Sequence, residues 1–174
     1  MSILKVNTIQ KKDGSDFPLG KIGQVFHTTT TTQLALTSSG FVDLGLEQAI
    51  TPSSTSSKIL IKTSISFGGD QSIYGFAKLL RDSTDILIGD AGSANQIRCT
   101  FPMTNVDDGS EIYKAHVSSS EFLDSPSTTS EITYSVHLRS QASKNVYINR
   151  ESNNNDNDYN GRYTSSITVM EVLA

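Results

Sequence analysis

The chain has 174 residues, a mass of 18.8 kDa, a formal charge of -4 and a pI of about 5.3. One cysteine excludes a disulfide scaffold, and the acidic balance argues against a nucleic-acid binder, which needs a basic face to neutralise phosphates. Charged residues are 18% and hydrophobic residues 36%; the polarity comes instead from 26 Ser and 18 Thr, residues suited to strands and turns.

The first twenty residues differ from the rest. Ser2 to Ile9 reads S-I-L-K-V-N-T-I, a strand-like run, followed by the polar, turn-prone stretch Gln10 to Asp16. Lys5 and Asn7 break the apolar stretch that a signal peptide needs, so synthesis in a cytoplasm without an export signal is expected. Residues 1–22 read as an arm and linker, and residues 23–174 as the body. Ile3, Leu4, Val6 and Ile9 are the arm's apolar side chains and its expected contacts with another chain.

From Gln24 onward the dominant pattern is period two. Short strands are expected over Gln24 to Thr30, Gly40 to Leu44 and Leu46 to Ile50, with Pro52 and its Ser/Thr cluster as a break. In Lys58 to Phe67, Ile59, Ile61, Thr63, Ile65 and Phe67 share one face, and Leu60, Lys62, Ser64 and Ser66 the other. Gly68-Gly69-Asp70 reads as a break and Arg81-Asp82-Ser83-Thr84 as a hairpin turn. Strands are expected at Ile73 to Leu80, Asp85 to Gly89, Arg98 to Phe101 and Ala115 to Ser119, with a turn at Asp124-Ser125-Pro126-Ser127.

Glu131 to Leu138 alternates again, with Ile132, Tyr134, Val136 and Leu138 on one face. Val146 to Asn149 is a short strand, and Asn153 to Gly161 a polar loop without an aliphatic residue. The C-terminal run sets Ile167, Val169, Glu171 and Leu173 against Thr168, Met170 and Val172. Both faces are largely apolar, so Met170 and Val172 are candidates for a subunit interface. No capped helical stripe, fixed-period repeat or 18-residue apolar run occurs. The fold expected is all-β, a single antiparallel β-sandwich or jelly roll with an extended N-terminal arm.

Catalytic patterns are sparse. His27 and His137 sit mid-strand among Thr and Ser, and read as solvated strand-face side chains. Cys99 stands beside Arg98, a cation able to lower a thiol pKa, yet no histidine is near in sequence. The nucleophile elbow, the phosphate-cradling loop and the zinc helix are missing. Asp156-Asn157-Asp158-Tyr159-Asn160-Gly161 matches the opening half of a calcium loop, but the twelfth position, which needs a bidentate Glu, is Ile167. No enzyme activity, cofactor or metal is expected. The loop offers a second use: Asn153, Asp156 and Asp158 present hydrogen-bonding groups, and Tyr159 and Tyr163 rings that stack on sugars.

The opening I-L-K-V-N-T-I-Q-x-x-D-G, followed by Gly20-Lys21-Ile22-Gly23-Gln24-Val25, resembles the start of small virion proteins of tailed phages of cyanobacteria and marine bacteria. Ile50 to Ile61, Phe122 to Pro126, Val146 to Arg150 and Ile167 to Val172 are similar to further segments of the same family, in the same order. The resemblance implies a homotrimeric jelly roll on the virion surface with no active site. With only about twenty residues ahead of the body, a capsid-decorating (cement) protein is expected, its arm on the major capsid protein. The alternative is a receptor-binding tip that plugs into a tail fibre or baseplate protein and meets a host glycan. No nucleic acid and no membrane insertion are expected.

Overall fold

A computed structural model describes residues 21–70, 73–92, 95–104, 113–141 and 144–173. The described residues contain no α-helix. Eleven strands follow in order: β1 Lys21–Thr30, β2 Leu34–Leu36, β3 Val42–Ile50, β4 Lys58–Gly69, β5 Tyr74–Arg81 and β6 Thr84–Ile86; then β7 Phe101–Thr104, β8 His116–Asp124, β9 Ile132–Ser140, β10 Val146–Ile148 and β11 Ser165–Leu173.

The strands form two antiparallel sheets. One runs β1-β11-β4-β8, with β10 continuing along the β11 edge of β4 and β2 pairing β10. The other runs β3-β9-β5, with β6 and β7 sharing the far edge of β5. The first and last strands are therefore neighbours, and successive long strands alternate between sheets, which is the wrap of a jelly roll.

Alternation explains the layers. Ile59, Ile61, Ile65 and Phe67 of β4 point inward with Ile167 and Val169 of β11. They meet Ile132, Tyr134, Val136 and Leu138 of β9, with Ala77 and Leu79 of β5. The faces assigned to β4 and β9 from sequence are those observed. Each buried aliphatic side chain contributes about 1.5–3 kcal/mol of transfer free energy.

Several boundaries differ from expectation, each for a local reason. The strands expected at Gly40 to Leu44 and Leu46 to Ile50 merge into one bulged strand, β3, which begins only at Val42. Gly45 has φ of +70° and donates its N–H to Asp43 Oδ1 at 2.8 Å, and the pairing with β9 shifts register there. Gly68 and Gly69 do not break β4. A Cβ on Gly68 would lie 2.8 Å from the Arg150 carbonyl oxygen, so glycine here permits a close approach. β7 lies over Phe101–Thr104 rather than Arg98 to Phe101, because Pro102 is tolerated on an edge strand. The three-residue β2 was not anticipated. The turn at Asp82-Ser83 is the expected two-residue hairpin, with Asp82 at φ 52°.

Candidate functional site

The Asn-rich loop over 153–161 is held from below. Asn149, fully buried with φ 60°, donates Nδ2 to the carbonyls of Thr30 and Thr32 at 3.0 Å each and accepts from Ser165 Oγ at 2.7 Å. Glu151 is 2% exposed. It accepts the Gly161 N–H at 3.1 Å and the Tyr163 hydroxyl. That bond to Glu151, then burial, pushes the Tyr163 phenol up to about 12. Tyr163 is thus committed to the loop's base, and its hydroxyl is already donated.

A third anchor is Asp70, at the end of β4. Its Oδ2 accepts the backbone N–H and side-chain Nδ2 of Asn145, both at 2.8 Å, and its Oδ1 accepts Tyr147 OH at 3.1 Å and Ser152 Oγ at 3.2 Å. Burial raises its carboxyl pKa, but these donors outweigh burial and hold it below the usual value. The Arg150 guanidinium lies over the Tyr147 ring at 4.0 Å and donates to the carbonyls of Glu151 and Ser152.

Above these anchors the loop is exposed at Asp156, Asp158 and Tyr159, while Asn153 turns back to accept the Asn155 N–H at 3.1 Å. Tyr159 is 66% exposed. It meets the half-exposed Tyr113 edge-on, with ring centroids 6.1 Å apart at 67°. Tyr113 was missed from sequence; its one signal was an aromatic in a segment without strand alternation. Ile167, the twelfth position of the calcium-like stretch, is buried in β11, and among the described residues no three His, Cys, Asp or Glu side chains gather into a metal cluster.

The second candidate surface is the outer face of the β1-β11-β4-β8 sheet. Val25 pairs with Met170, Met170 with Leu60, and Leu60 with Leu123. One rung across four strands is therefore apolar. Ile22 and Val172 pair in the next position. Ile22 is 56% exposed, Val25 53% and Leu123 45%, and Leu60, Met170 and Val172 are half-buried. On the other side the face turns polar, with His27 paired to Thr168, Thr168 to Lys62, and Lys62 to Glu121. Met170 and Val172 thus lie together as expected, and Leu60 was legible as an outward residue of β4. Val25 and Leu123 were not singled out, because their rung exists only once four registers are known.

The remaining reactive groups are apart. His27 Nδ1 lies 2.7 Å from Thr168 Oγ1, and the His116 ring packs tilted on Phe67 at 5.6 Å. The Arg98 guanidinium donates to the Gly89 carbonyl at 2.7 Å; burial pushes the Cys99 thiol up, more than Lys78 draws it down. Arg98 therefore does not activate Cys99. The arm residues Ile3, Leu4, Val6 and Ile9 lie outside the described residues.

No family model matches the chain, and no curated protein matches it. Among solved structures, the chain is similar over 98% of its length to a mutant VP2 protein of infectious bursal disease virus in derived T=1 particles, with TM-score 0.45 and 8% identity, covering 45% of that chain. It is similar over 98% of its length to the structure of the Gx strain of the same virus, with TM-score 0.44 and 9% identity, covering 42% of that chain. The chain thus spans less than half the length of either, and at these scores neither protein's role transfers to it.

Proposed function

We propose that the chain is a non-enzymatic structural component of a phage virion: a trimeric capsid-decorating protein on the head surface that docks on the major capsid protein through its N-terminal arm. The observation that carries this reading is the use made of the buried carboxylates. Asp124, Glu151 and Glu171 are each buried; Asp124 and Glu171 tie together segments distant in sequence, and Glu151 closes its own loop onto Gly161 and Tyr163. Asp124 accepts Arg81 NH1 at 2.8 Å and Tyr134 OH at 2.7 Å, bridging the two sheets. Glu171 clamps the turn after β3, and Glu151 the Asn-rich loop. Carboxylates saturated by structural donors fit a body built for rigidity rather than proton transfer.

The arm's order ahead of the jelly roll supports the docking role. Ile3, Leu4, Val6 and Ile9 suit strand addition to a partner's sheet edge, where backbone bonds give affinity and alternate side chains choose the pocket. Three arms on one body would add avidity. The test is the copy number per particle, measured by quantitative mass spectrometry, together with the heat resistance of particles lacking the protein. Hundreds of copies and weakened heads support decoration; a few copies and intact heads overturn it.

A second reading, a receptor-binding tip, is favoured by the exposed pair Tyr113 and Tyr159 beside Asp156 and Asp158. Rings and carboxylates at a rigid loop suit a host glycan. For a tip, Tyr159→Ala abolishes adsorption; for a decoration protein it leaves adsorption unchanged.

A further inference from the structure

We infer that the outer rung Val25–Met170–Leu60–Leu123, extended by Ile22 and Val172, is the surface through which copies of this chain meet. Four strands place the rung across about 14 Å, from a spacing of roughly 4.8 Å. Exposed apolar groups so grouped mark a contact surface, whereas scattered ones need no explanation.

The other sheet shows the contrast. Two aromatics there are covered by the chain's own cations: Lys78 Nζ lies 4.5 Å from the Phe41 ring centre, and the Arg139 guanidinium 5.9 Å from Phe41 and 6.0 Å from Phe76, while Tyr74 of β5 stays 52% exposed. At the rung cations stand beside the apolar groups instead: Lys58, paired with Val172, on one side of Leu60 and Lys62 on the other.

The rung's border selects the occupant. Lys62 and Glu121 stand side by side on β4 and β8, 2.8 Å apart and each more than half exposed. An apolar strip edged by neighbouring charges of both signs complements itself: a second copy brings its own apolar strip, and its Glu121 can lie against the first copy's Lys62. A glycan would find neither a ring nor a dense set of donors on the strip. The inference rests on the homo-oligomeric part of the reading above, and adds which face is used.

Sedimentation of the purified full chain tests it, with Val25→Glu, Met170→Glu and Leu123→Glu as variants and Val117→Glu as a control. Val117 is 65% exposed on β8, opposite Ser66 and away from the rung. The wild type should associate, and each rung variant should weaken association by ~100-fold or more, since a charge would be buried against apolar surface. Val117→Glu should associate normally. Unchanged far-ultraviolet spectra separate lost contact from lost fold. Should a variant misfold, peroxide oxidation of Met170 in the wild type gives a second readout, and it should slow as the chain is concentrated. An oligomer indifferent to all three variants overturns the assigned face and leaves homo-oligomerisation standing. A wild type that stays monomeric at about 100 μM overturns both.

Discussion

Glu171 and Ser53 lie 118 positions apart, yet the Glu171 carboxylate accepts both the Ser53 backbone N–H at 2.6 Å and its hydroxyl at 2.7 Å. The same carboxylate accepts Gln24 Nε2 at 2.9 Å, so the last strand, the first strand and the turn after β3 meet on one side chain. A Cβ on Gly23 would lie 3.1 Å from Glu171 Oε2, and the β1–β11 register slips between Ile22 and Val25 to make room.

This clamp sets a pH dependence. Burial raises the Glu171 pKa, but the bonds from Ser53 and Gln24 outweigh it and hold the group at about 2, below its ordinary 4.5. A depressed folded-state pKa gives stability that is complete above 4.5 and lost as pH falls towards 2. Urea denaturation of the wild type should therefore show a steeper loss over that window than Glu171→Gln. Glu171→Leu should cost about 2–4 kcal/mol at neutral pH, because the Ser53 donors are left unpaired.

Asp124 joins the sheets by a charged and a neutral bond, and the two should differ in worth. Tyr134→Phe removes one neutral donor and should cost about 1 kcal/mol, leaving Asp124 paired with Arg81. Asp124→Asn removes the charge facing a partly buried guanidinium and should cost about 3 kcal/mol. Equal costs in chemical denaturation would show that the ion pair does not hold the sheets.

The phase of β4 is tested by adjacent residues. Ile61 is buried, and Ile61→Ala should cost about 2–5 kcal/mol through lost transfer energy and a cavity. Lys62 faces outward in an exposed ion pair, and Lys62→Ala should change stability by less than about 1 kcal/mol. A reversal of that order would place the faces backwards.

Gly68 is crowded by backbone on the side a methyl would occupy: Glu151 Cα at 2.7 Å and the carbonyls of Arg150 at 2.8 Å and Lys114 at 3.1 Å. Backbone cannot step aside as a flexible side chain can. Gly68→Ala should cost about 1–3 kcal/mol. It should also shift the amide resonances of Arg150, Glu151 and the loop above them, which a change confined to β4 would leave in place.

Much of the fold was legible because period two is a local signal. Ile59, Ile61, Tyr134, Val136 and Ile167 declare their buried face by alternation alone. Close approach of backbones is not local, so Gly68 and Gly69 read as a turn and proved to be strand. Pro102 hid β7 because proline reads as a breaker until the strand is known to be an edge. The site divides in the same way. Met170 and Val172 were visible as outward residues of a two-faced apolar strand, whereas Val25 and Leu123 join them only through registers spanning four strands. Tyr163 read as a free ring because its partner, Glu151, is brought to it by the loop's fold.

The central claim, a structural protein on the head of a virion, is tested most directly by antibody-gold labelling of intact particles in the electron microscope. Gold should be spread over the heads. Particles without gold, or gold confined to tail ends and fibres, would contradict it.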